Sequence, residues 1–395
     1  MNRLKEKLLA PPDPGYAAAG DFVRVACVLL IGWYHIWQQS WLSPVLTLGR
    51  FRLDMTPCVR TGYLAVDIML ALSGFLTYLP YANDREAPAN QFYLKRALRI
   101  LPSYLLCLAV MLAQAVTRPD FSDAPRLMKD LLAHLGFVHN LFPFSYNASR
   151  LNVVLWTLAV EVQFYLILPV LAPAFRKRPL VAYAAMTVAG MSFMFIWTAP
   201  MADTTLFVNR LPNMLVVYAN GMLAAHIYAR AARLERRALV ATLGLMLFIA
   251  AGWGVLRIAR EQSYVSGYDN IRLGQLRWRW LYSLCGSAML LGGSVTFAPL
   301  RALMSNRFTR FLSGVSFNFY IWHQVVSVKL KQWRIPPYAA TENPNMAGEM
   351  PWQLHYTLLC FAVALVVAVA ATYLVEQPCA RWGRRRLEEK YGGKA

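Results

Sequence analysis

Apolar residues along the chain fall into long runs rather than into short alternating segments. Ten mostly apolar stretches follow one another, separated by polar connections, at approximately residues 22–44, 62–81, 100–117, 152–173, 180–199, 211–228, 238–256, 280–298, 311–328 and 354–375. About 20 apolar residues in a helix are needed to cross a bilayer, because nothing in the hydrocarbon core pairs exposed backbone groups. The pattern therefore predicts an all-α polytopic membrane protein with about ten transmembrane helices.

One further stretch, residues 131–144, is shorter and contains His134, His139 and Asn140. We expect it to be interfacial or re-entrant rather than an eleventh span. It occupies part of the longest connection, residues 118–151, so no loop is long enough for a separate soluble domain. The sequence thus predicts one transmembrane domain over residues 1–395, with tails at 1–20 and 376–395.

Composition agrees with a membrane protein and not with an ordinary soluble one. Hydrophobic residues make up 57% of the 395 residues and charged residues only 15%, whereas soluble proteins carry about 25% charged residues. The net charge of +20 is also typical of nucleic-acid-binding proteins. Because the basic residues recur between apolar stretches instead of forming one patch, we exclude nucleic acid as a partner and expect a lipid bilayer instead.

The distribution of basic residues predicts the orientation. With the N-terminus inside, the inner segments hold 23 of the 40 Lys and Arg residues and the longer outer segments hold 16. An excess of basic residues on the inner side places both termini in the cytoplasm. The polar segment before the first apolar stretch does not resemble a signal peptide. We therefore expect a multi-pass protein of the inner or plasma membrane.

Six cysteines lie at positions 27, 58, 107, 285, 360 and 379, and none forms a CxxC pair. They indicate neither a metal site nor a redox compartment, and no metal is expected. The outer basic residues Arg272, Arg277 and Arg279 leave two interpretations open, anchoring at lipid headgroups or contact with an anionic acceptor.

Ionisable side chains inside a span cost several kcal/mol, so each is a candidate functional residue. The candidates singled out here are Arg24, His35, Asp67, Glu161 and His323. Arg24 and His35 are eleven residues apart, about 20° beyond three helical turns, so they share a face about 16 Å apart along the axis. A cation near the cytoplasm and a deeper imidazole suit an anionic cosubstrate that enters from inside. The alternative is that Arg24 reaches lipid headgroups and His35 is a hydrogen-bonded interior residue.

The other three ionisable residues extend this candidate site. His35 and Glu161 both lie about nine residues from the outer ends of their spans, so they can sit at similar depth. A carboxylate beside an imidazole is the arrangement of a general base. Asp67 precedes Ser73-Gly74, where glycine permits close helix packing. His323 has two interpretations, a catalytic role or an interhelical hydrogen bond.

A basic amphipathic segment precedes the third span. In Phe92–Pro102, Lys95 and Arg99 are i,i+4 neighbours and Arg96 lies beside them. Such a segment either anchors at lipid headgroups or binds phosphates, for which planar Arg donors are well suited.

Six motifs in order along the chain resemble the membrane-bound acyltransferase 3 family. They are Arg24-x10-His35, the run from Val66 to Leu76, the run from Phe92 to Pro102, the run from Leu155 to Tyr165 (LWTLAVEVQFY), the run from Ser316 to His323 (SFNFYIWH), and Glu376-Gln377-Pro378. Thr157 stands where the family usually has Ser, and Met69-Leu70-Ala71 replaces a commoner Phe-rich run.

This resemblance implies an integral membrane O-acyltransferase with ten helices and a cytoplasmic acyl-CoA donor, most often acetyl-CoA. The acceptor would be a hydroxyl of a glycan or another cell-surface molecule at the outer side. Many family members carry a fused extracytoplasmic hydrolase-like domain. We expect this chain, which carries none, to complete the transfer alone or with a separate extracytoplasmic partner.

The predicted mechanism assigns each candidate residue a role. Donor phosphates would bind near Arg24, Lys95, Arg96 and Arg99. His35, oriented by Glu161 or Asp67, would act as general base or carry the acyl group, and His323 would share the chemistry. The competing hypotheses are a transporter or flippase of an envelope precursor, in which the same residues relay protons, and a scaffold without catalysis. The absence of an internal repeat and the intact Arg24, His35 and Glu161 argue against them.

Overall fold

The computed structural model of the protein describes residues 6–85, 88–117, 123–146, 148–339 and 343–391, and each of the ten apolar stretches forms a helix. The ends of both predicted tails, residues 1–5 and 392–395, lie outside the described residues. In chain order the elements are α1 (Ala19–Ser40), β1 (Val45–Leu48), β2 (Phe51–Asp54), α2 (Thr56–Arg60), α3 (Ala65–Ala82), α4 (Ala89–Val116), α5 (Ala124–Leu135), α6 (Pro143–Tyr146), α7 (Trp156–Lys177), α8 (Pro179–Ser192), α9 (Leu211–Ala231), α10 (Arg237–Ser263), α11 (Tyr268–Val295), α12 (Ala298–Met304), α13 (Arg307–Gln332), α14 (Met350–Ala371) and α15 (Gln377–Tyr391).

Single turns of other helix types adjoin several of these elements. Three short 3₁₀ turns precede longer elements, and two π-helical turns continue α8 and α14; they are Gly62–Leu64, His139–Leu141, Val153–Leu155, Phe193–Thr198 and Thr372–Glu376. The turn at Thr372–Glu376 joins α14 directly to α15, so the last apolar helix runs on into the basic C-terminal helix.

Among the described residues, seven helices are long and apolar enough to cross a membrane: Ala19–Ser40, Gly62–Ala82, Ala89–Val116, Val153–Lys177, Pro179–Thr198, Arg237–Ser263 and Met350–Arg386. The other three predicted spans correspond to α9, α11 and α13, which carry polar residues such as Asn213, Asn220 and Arg279. Such residues lower the mean hydropathy of a helix, but the three side chains named are buried, so their polar groups are not exposed. The number of ten spans and the inward orientation of the termini stay predictions.

The first helix ends earlier than predicted. It stops at Ser40, and Pro44 then precedes an antiparallel hairpin in which Val45 pairs with Asp54 and Leu48 with Phe51. Trp41, the residue directly after the helix, has φ of 56°, a left-handed conformation that ends the helix. Gly49 occupies the turn with φ of 59°, a left-handed conformation that glycine adopts without steric cost. The hairpin was not predicted, because its strands are short and exposed on both faces.

The segment 131–144 comprises the end of α5, a turn that includes His139–Leu141, and the start of α6. Helix α5 begins after Asp123, whose carboxylate accepts a hydrogen bond of 2.9 Å from the backbone N–H of Arg126. It ends before Gly136, and its 12 residues extend about 18 Å, well short of the roughly 30 Å hydrocarbon core. Helix α5 is therefore too short to be an eleventh span. The interfacial or re-entrant position of residues 131–144 stays a prediction.

The chain divides into two compact units. The first unit contains residues 1–34, 43–86 and 160–313, and the second contains 35–42, 87–159 and 314–395. In the first unit α3 packs closely on α9, and a Cβ atom added to Gly221 would lie 2.0 Å from the carbonyl oxygen of Ala71. The predicted close approach at Gly74 is also present, since a Cβ there would lie 3.1 Å from the Tyr218 carbonyl. The contact at Gly221 requires glycine, whereas a side chain at Gly74 would need a small shift of its neighbour.

In the second unit the basic start of α4 packs on the C-terminal helix. A Cβ added to Gly383 in α15 would lie 2.2 Å from the Leu98 side chain. Nearby, the Asn318 amide donates to Thr372 Oγ1 at 2.9 Å and to Glu376 Oε2 at 2.7 Å, which joins α13 to the same region.

Candidate active site

Two imidazoles predicted as candidate catalytic groups lie together in the second unit. The ring centroids of His35 in α1 and His323 in α13 are 5.1 Å apart, with an interplanar angle of 47°. The two residues are 288 positions apart in the sequence, so only the fold brings them together. Each imidazole therefore has the other as a neighbour, and neither is isolated in the interior.

The backbone fixes the tautomer of His323. Its Nδ1 lies 3.2 Å from the carbonyl oxygen of Phe319, one turn earlier in α13. A carbonyl oxygen only accepts, so the ring carries its proton on Nδ1 and a lone pair on Nε2. His323 is fully buried, and its Nε2 has no hydrogen-bond partner among the residues that the structure describes. A buried imidazole with a directed lone pair is the form that a general base takes.

His35 is half-buried, and its Nδ1 lies 3.3 Å from Oε1 of the exposed residue Gln38. With the amide oxygen as acceptor, Nδ1 again carries the proton, and Nε2 carries the lone pair. The residues His35, Phe319, Tyr320 and His323 form one aromatic cluster, since the Tyr320 and His323 rings lie 5.6 Å apart and the Phe319 and His323 rings 6.1 Å apart.

Glu161 belongs to the first unit, where two hydroxyl groups hold its carboxylate. Ser73 Oγ and Tyr165 Oη each donate to Glu161 Oε1 at 2.5 Å, and the two hydroxyls are 3.1 Å apart. Tyr165 follows Glu161 by one helical turn in α7, at the i+4 position. One of the two donors therefore belongs to the same sequence motif as the carboxylate. Ser73 supplies the other donor. The Ser73-Gly74 pair therefore provides a hydrogen bond to Glu161 as well as the predicted close approach.

Asp67 also belongs to the first unit, and there it forms a fully buried salt bridge. Arg279 Nε lies 3.3 Å and 3.4 Å from the two Asp67 oxygens. The guanidinium also donates to the Val208 carbonyl at 2.6 Å and to Asn209 Oδ1 at 3.3 Å. Each charge thus has a partner of opposite sign, as a buried ion requires. The catalytic role of Asp67 stays a prediction, and its pairing favours a structural role.

The same salt bridge bears on the outer basic residues. Arg279 is buried against Asp67, and Arg272 lies 3.4 Å from Asp203 and stacks 3.4 Å above the centre of the Tyr268 ring. Arg277 remains exposed beside Trp278. Arg272 and Arg279 thus each have an acidic partner within the protein, which favours a structural role for both.

The candidate donor-binding residues of α4 are accessible in the second unit. Lys95 and Arg99 are exposed on one face, and the half-buried Arg96 lies 5.5 Å from the centre of the Phe92 ring. Arg99 also interacts electrostatically with Glu376. Arg24 is half-buried in the part of α1 that belongs to the first unit.

Sequence reasoning missed a second group of basic residues beside these. Helix α15 packs on α4 and exposes four arginines, Arg381, Arg384, Arg385 and Arg386. The signal for this contact was present in the sequence as the Glu376-Gln377-Pro378 motif, which starts α15. In the sequence these arginines indicate only which side of the membrane the C-terminus occupies, because residue spacing does not reveal their neighbours in space.

Within the described residues, no group of three or more His, Cys, Asp or Glu side chains is arranged to hold a metal ion. The candidate catalytic residues therefore divide between the units: His35 and His323 lie in the second, while Asp67 and Glu161 lie in the first.

The long apolar helices and the buried polar groups inside them define a multi-pass membrane protein with an internal polar site. A family model described as an acyltransferase domain, that of acyltransferase 3, matches residues 18–373. The chain belongs to this family, as its six motifs predicted, and membership confirms the predicted enzyme class, acyltransferase.

Individual relatives are more distant. The chain is 25% identical to the peptidoglycan O-acetyltransferase OatA of Listeria monocytogenes over 175 residues, which is 41% of this chain and 25% of that protein. It is 27% identical to the O-acetyltransferase OatA of Staphylococcus aureus over 169 residues, or 40% and 25% of the two chains. It is 24% identical to the exopolysaccharide production protein ExoZ of Rhizobium meliloti over 345 residues, or 85% and 95%. The chain thus matches about a quarter of the length of the two OatA proteins. No solved structure matches it significantly.

Proposed function

We propose that the protein transfers an acyl group, acetyl in the first instance, from cytoplasmic acyl-CoA to a hydroxyl of a glycan or other cell-surface acceptor. The observation that carries the proposal is the pair of imidazoles formed by His35 and His323, with the lone pair of His323 Nε2 unpartnered among the described residues. The acceptor class rests on the names of the relatives, two of which refer to O-acetyl transfer and one to exopolysaccharide production. The membrane in question is the inner or plasma membrane.

The imidazole pair can carry out the proton transfers of this reaction. An imidazole Nε2 takes the proton of the acceptor hydroxyl while the oxygen attacks the thioester carbonyl. The C–S bond breaks as the ester C–O bond forms, and the thiolate of coenzyme A takes the proton back from the imidazolium. General base catalysis of this kind contributes about 10²- to 10⁴-fold. The second imidazole either orients the first or accepts the acyl group in a two-step transfer.

Glu161 has a supporting role in this proposal. Ser73 and Tyr165 hold its carboxylate in place, and a fixed carboxylate can stabilise positive charge that develops during a reaction.

Exposed basic residues of the second unit bind the donor's phosphates in this proposal. Lys95 and Arg99 supply charge-assisted hydrogen bonds, and the packing of α15 on α4 adds Arg384 and Arg385 to the same surface. Arg24, which lies in the first unit, stays a predicted donor-binding residue.

The proposal is tested with membranes incubated with acetyl-labelled acetyl-CoA. We expect the wild-type protein to release free coenzyme A and place label in a surface polymer, and the variants His35→Ala and His323→Ala to lose at least 10²-fold in rate. His355→Ala is the matched control, because His355 is an exposed histidine of the same unit and should retain full activity. Label trapped on the wild-type protein, and absent from His35→Ala, identifies an acyl-histidine intermediate.

Substantial activity in both histidine variants would contradict the assignment of the imidazole pair. Transport of an envelope precursor without release of coenzyme A would instead identify the transporter that the sequence left as an alternative.

Donor binding gives a separate prediction. Arg99→Ala should raise the KM for acetyl-CoA about tenfold with little change in kcat, because one charge-assisted contact is worth about 1.5–3 kcal/mol. Arg277→Ala, another exposed arginine but in the first unit, is the control. An unchanged KM in Arg99→Ala would leave α4 with the lipid-anchoring role.

A further inference from the structure

Outside the proposed reacting groups, the second unit contains a buried aspartate with an unusually complete set of hydrogen bonds. Asp130 in α5 is 3% exposed. Its carboxylate accepts hydrogen bonds from Ser145 Oγ, from Ser149 Oγ at 2.8 Å and from the backbone N–H of Arg150 at 3.2 Å. His134 Nδ1 adds a fourth contact at 3.1 Å.

These contacts hold Asp130 ionised. Burial by itself would raise the pKa of this carboxyl, but the hydrogen bonds from His134 and Ser145 outweigh burial and lower the pKa below its ordinary value. The network is not a nucleophilic triad, although it contains serine, histidine and aspartate. The Ser145 hydroxyl donates its proton to Asp130 rather than to an imidazole nitrogen, and Ser145 itself is 1% exposed.

Three of the four donors to Asp130, namely Ser145, Ser149 and Arg150, are close together in the chain. Through Ser149 and Arg150, Asp130 fixes the start of a longer segment, residues 148–157, which we name the latch. The rest of the latch comprises the turn Val153–Leu155 and the first residues of α7.

The far end of the latch holds the turn of α13 that carries His323. The Asn152 amide donates to the carbonyl of Ile321 at 2.8 Å. Tyr320 Oη donates to the Val154 carbonyl at 3.0 Å and accepts from Thr157 Oγ1 at 2.8 Å. Ile321 and Tyr320 are two and three residues before His323, and His323 is itself tied to Phe319 in the same turn. The latch therefore forms hydrogen bonds with α13 at one main-chain carbonyl and at one side chain, both within one helical turn of the His323 imidazole.

We propose that Asp130 is a positioning residue for His323. It acts through the latch, which it holds at Ser149 and Arg150 and which contacts Tyr320 and Ile321 at its other end. The proposal rests on the proposed function, since it assigns Asp130 a role in placing one of the two reacting imidazoles. A shift of a reacting group by about 1 Å can lower a rate about 10²-fold, so a small relaxation of the latch has a measurable effect.

The test compares Asp130→Asn and Tyr320→Phe, singly and together. Asp130→Asn keeps the shape but removes the charge that accepts two serine hydroxyls, and Tyr320→Phe removes only the phenol oxygen that joins the latch to α13. We expect each single variant to lower kcat by 10- to 100-fold with the KM values for donor and acceptor unchanged. We expect the double variant to be no slower than the slower single variant, because both act through one path.

Asp123→Asn is the matched control. Asp123 caps the same helix α5 through Arg126 but takes no part in the latch, so its kcat should remain within twofold of the wild type. Melting temperature and coenzyme A binding of each purified variant in detergent check that it is folded. Asp130→Glu, which restores the charge, should recover part of the lost kcat, which a purely apolar packing defect would not allow.

Three outcomes would overturn the proposal: Asp130→Asn with wild-type kcat, losses that multiply in the double variant, or a loss in KM alone. These outcomes are separable from failure of the proposed function. If His323→Ala is inactive and Asp130→Asn is fully active, only the positioning role is wrong. If His323→Ala is active, the assignment of His323 fails whatever Asp130 does.

Discussion

The two units each contain a buried aspartate, and the two are stabilised in different ways. Asp67 in the first unit is neutralised by a single ion, Arg279, and both side chains are fully inaccessible. Asp130 in the second unit is surrounded by two serine hydroxyls, a backbone N–H and an imidazole. The first arrangement fixes two helices to each other, whereas the second fixes a loop whose other end holds a candidate reacting group. An ionisable residue in a span is therefore a sound starting point for finding a site, but its partners decide its role.

The largest effect that separates the two arrangements should come from breaking the ion pair. Arg279→Met leaves the Asp67 charge buried without a partner, and we expect it to lower the free energy of unfolding by about 3–5 kcal/mol. The double variant Asp67→Leu/Arg279→Met, which replaces the pair by apolar groups of similar volume, should recover most of this loss. Thermal unfolding in detergent measures both, and Arg277→Met, an exposed arginine in the same helix, is the control.

The double variant also decides what Asp67 does. If it recovers both stability and acyl transfer, Asp67 is structural. If it recovers stability and remains inactive, Asp67 has the chemical role that the sequence predicted, and the contrast with Asp130 no longer holds.

An intermediate effect is expected at Glu161, which has hydroxyl donors like those of Asp130 but lies in the first unit. Ser73→Ala removes one of the two donors to its carboxylate, and a hydrogen bond to a charged group is worth about 1.5–3 kcal/mol. We expect kcat/KM for acyl transfer to fall about tenfold or more, with an unchanged melting temperature. Thr77→Ala is the control, because the Thr77 hydroxyl bonds only backbone carbonyls of the same helix. Wild-type activity in Ser73→Ala alongside an inactive Glu161→Gln would show that Glu161 does not need this donor.

The effect that is smallest for a change of one pH unit is a dependence of stability on pH, and it arises beside Asp130. The rings of His134 and His139 stack 3.9 Å apart, and His139 also faces Asp130 and the Leu155 carbonyl. Burial, followed by the neighbouring His134, lowers the pKa of His139 from 6.5 to about 3. The unfolded chain therefore binds a proton below about pH 6.5 that the folded protein excludes.

The stability contributed by neutral His139 is complete above pH 6.5 and declines as the pH falls toward 3, by at most about 1.4 kcal/mol per pH unit. We expect the melting temperature of the wild type to fall between pH 7 and pH 5. His139→Phe, which keeps the stacking and cannot be protonated, should show a flatter profile, whereas His355→Phe at an exposed position should not. Equal slopes in all three proteins would rule out His139 as the source.

The helices were predictable because apolar runs of this length have one stable form in a bilayer. The residues at which the helices end were harder to predict. Pro44 was visible in the sequence, yet the apolar residues around it extended the first predicted span to residue 44 although the helix ends at Ser40. The hairpin from Val45 to Asp54 was missed, since neither of its strands has a buried face that would produce an alternating pattern.

The members of the candidate site were predictable and their partners were not. His35 and His323 stood out as imidazoles in apolar surroundings, but the sequence favoured Glu161 or Asp67 as the partner of His35, and the contact with His323 lies 288 residues away. Asp130 was not predicted, because it lies just before residues 131–144, the short apolar stretch that drew attention through its two histidines. Its significance depends on Ser145 and Ser149, which are ordinary loop residues until the fold places them at its carboxylate.

The bond between His323 Nδ1 and the carbonyl of Phe319 has a consequence for substitutions around this ring. The acceptor of this bond is main chain, so a substitution of a neighbouring side chain does not remove it. The helix itself therefore supplies the group that holds the ring, and sequence changes around His323 alter its surroundings while this acceptor remains.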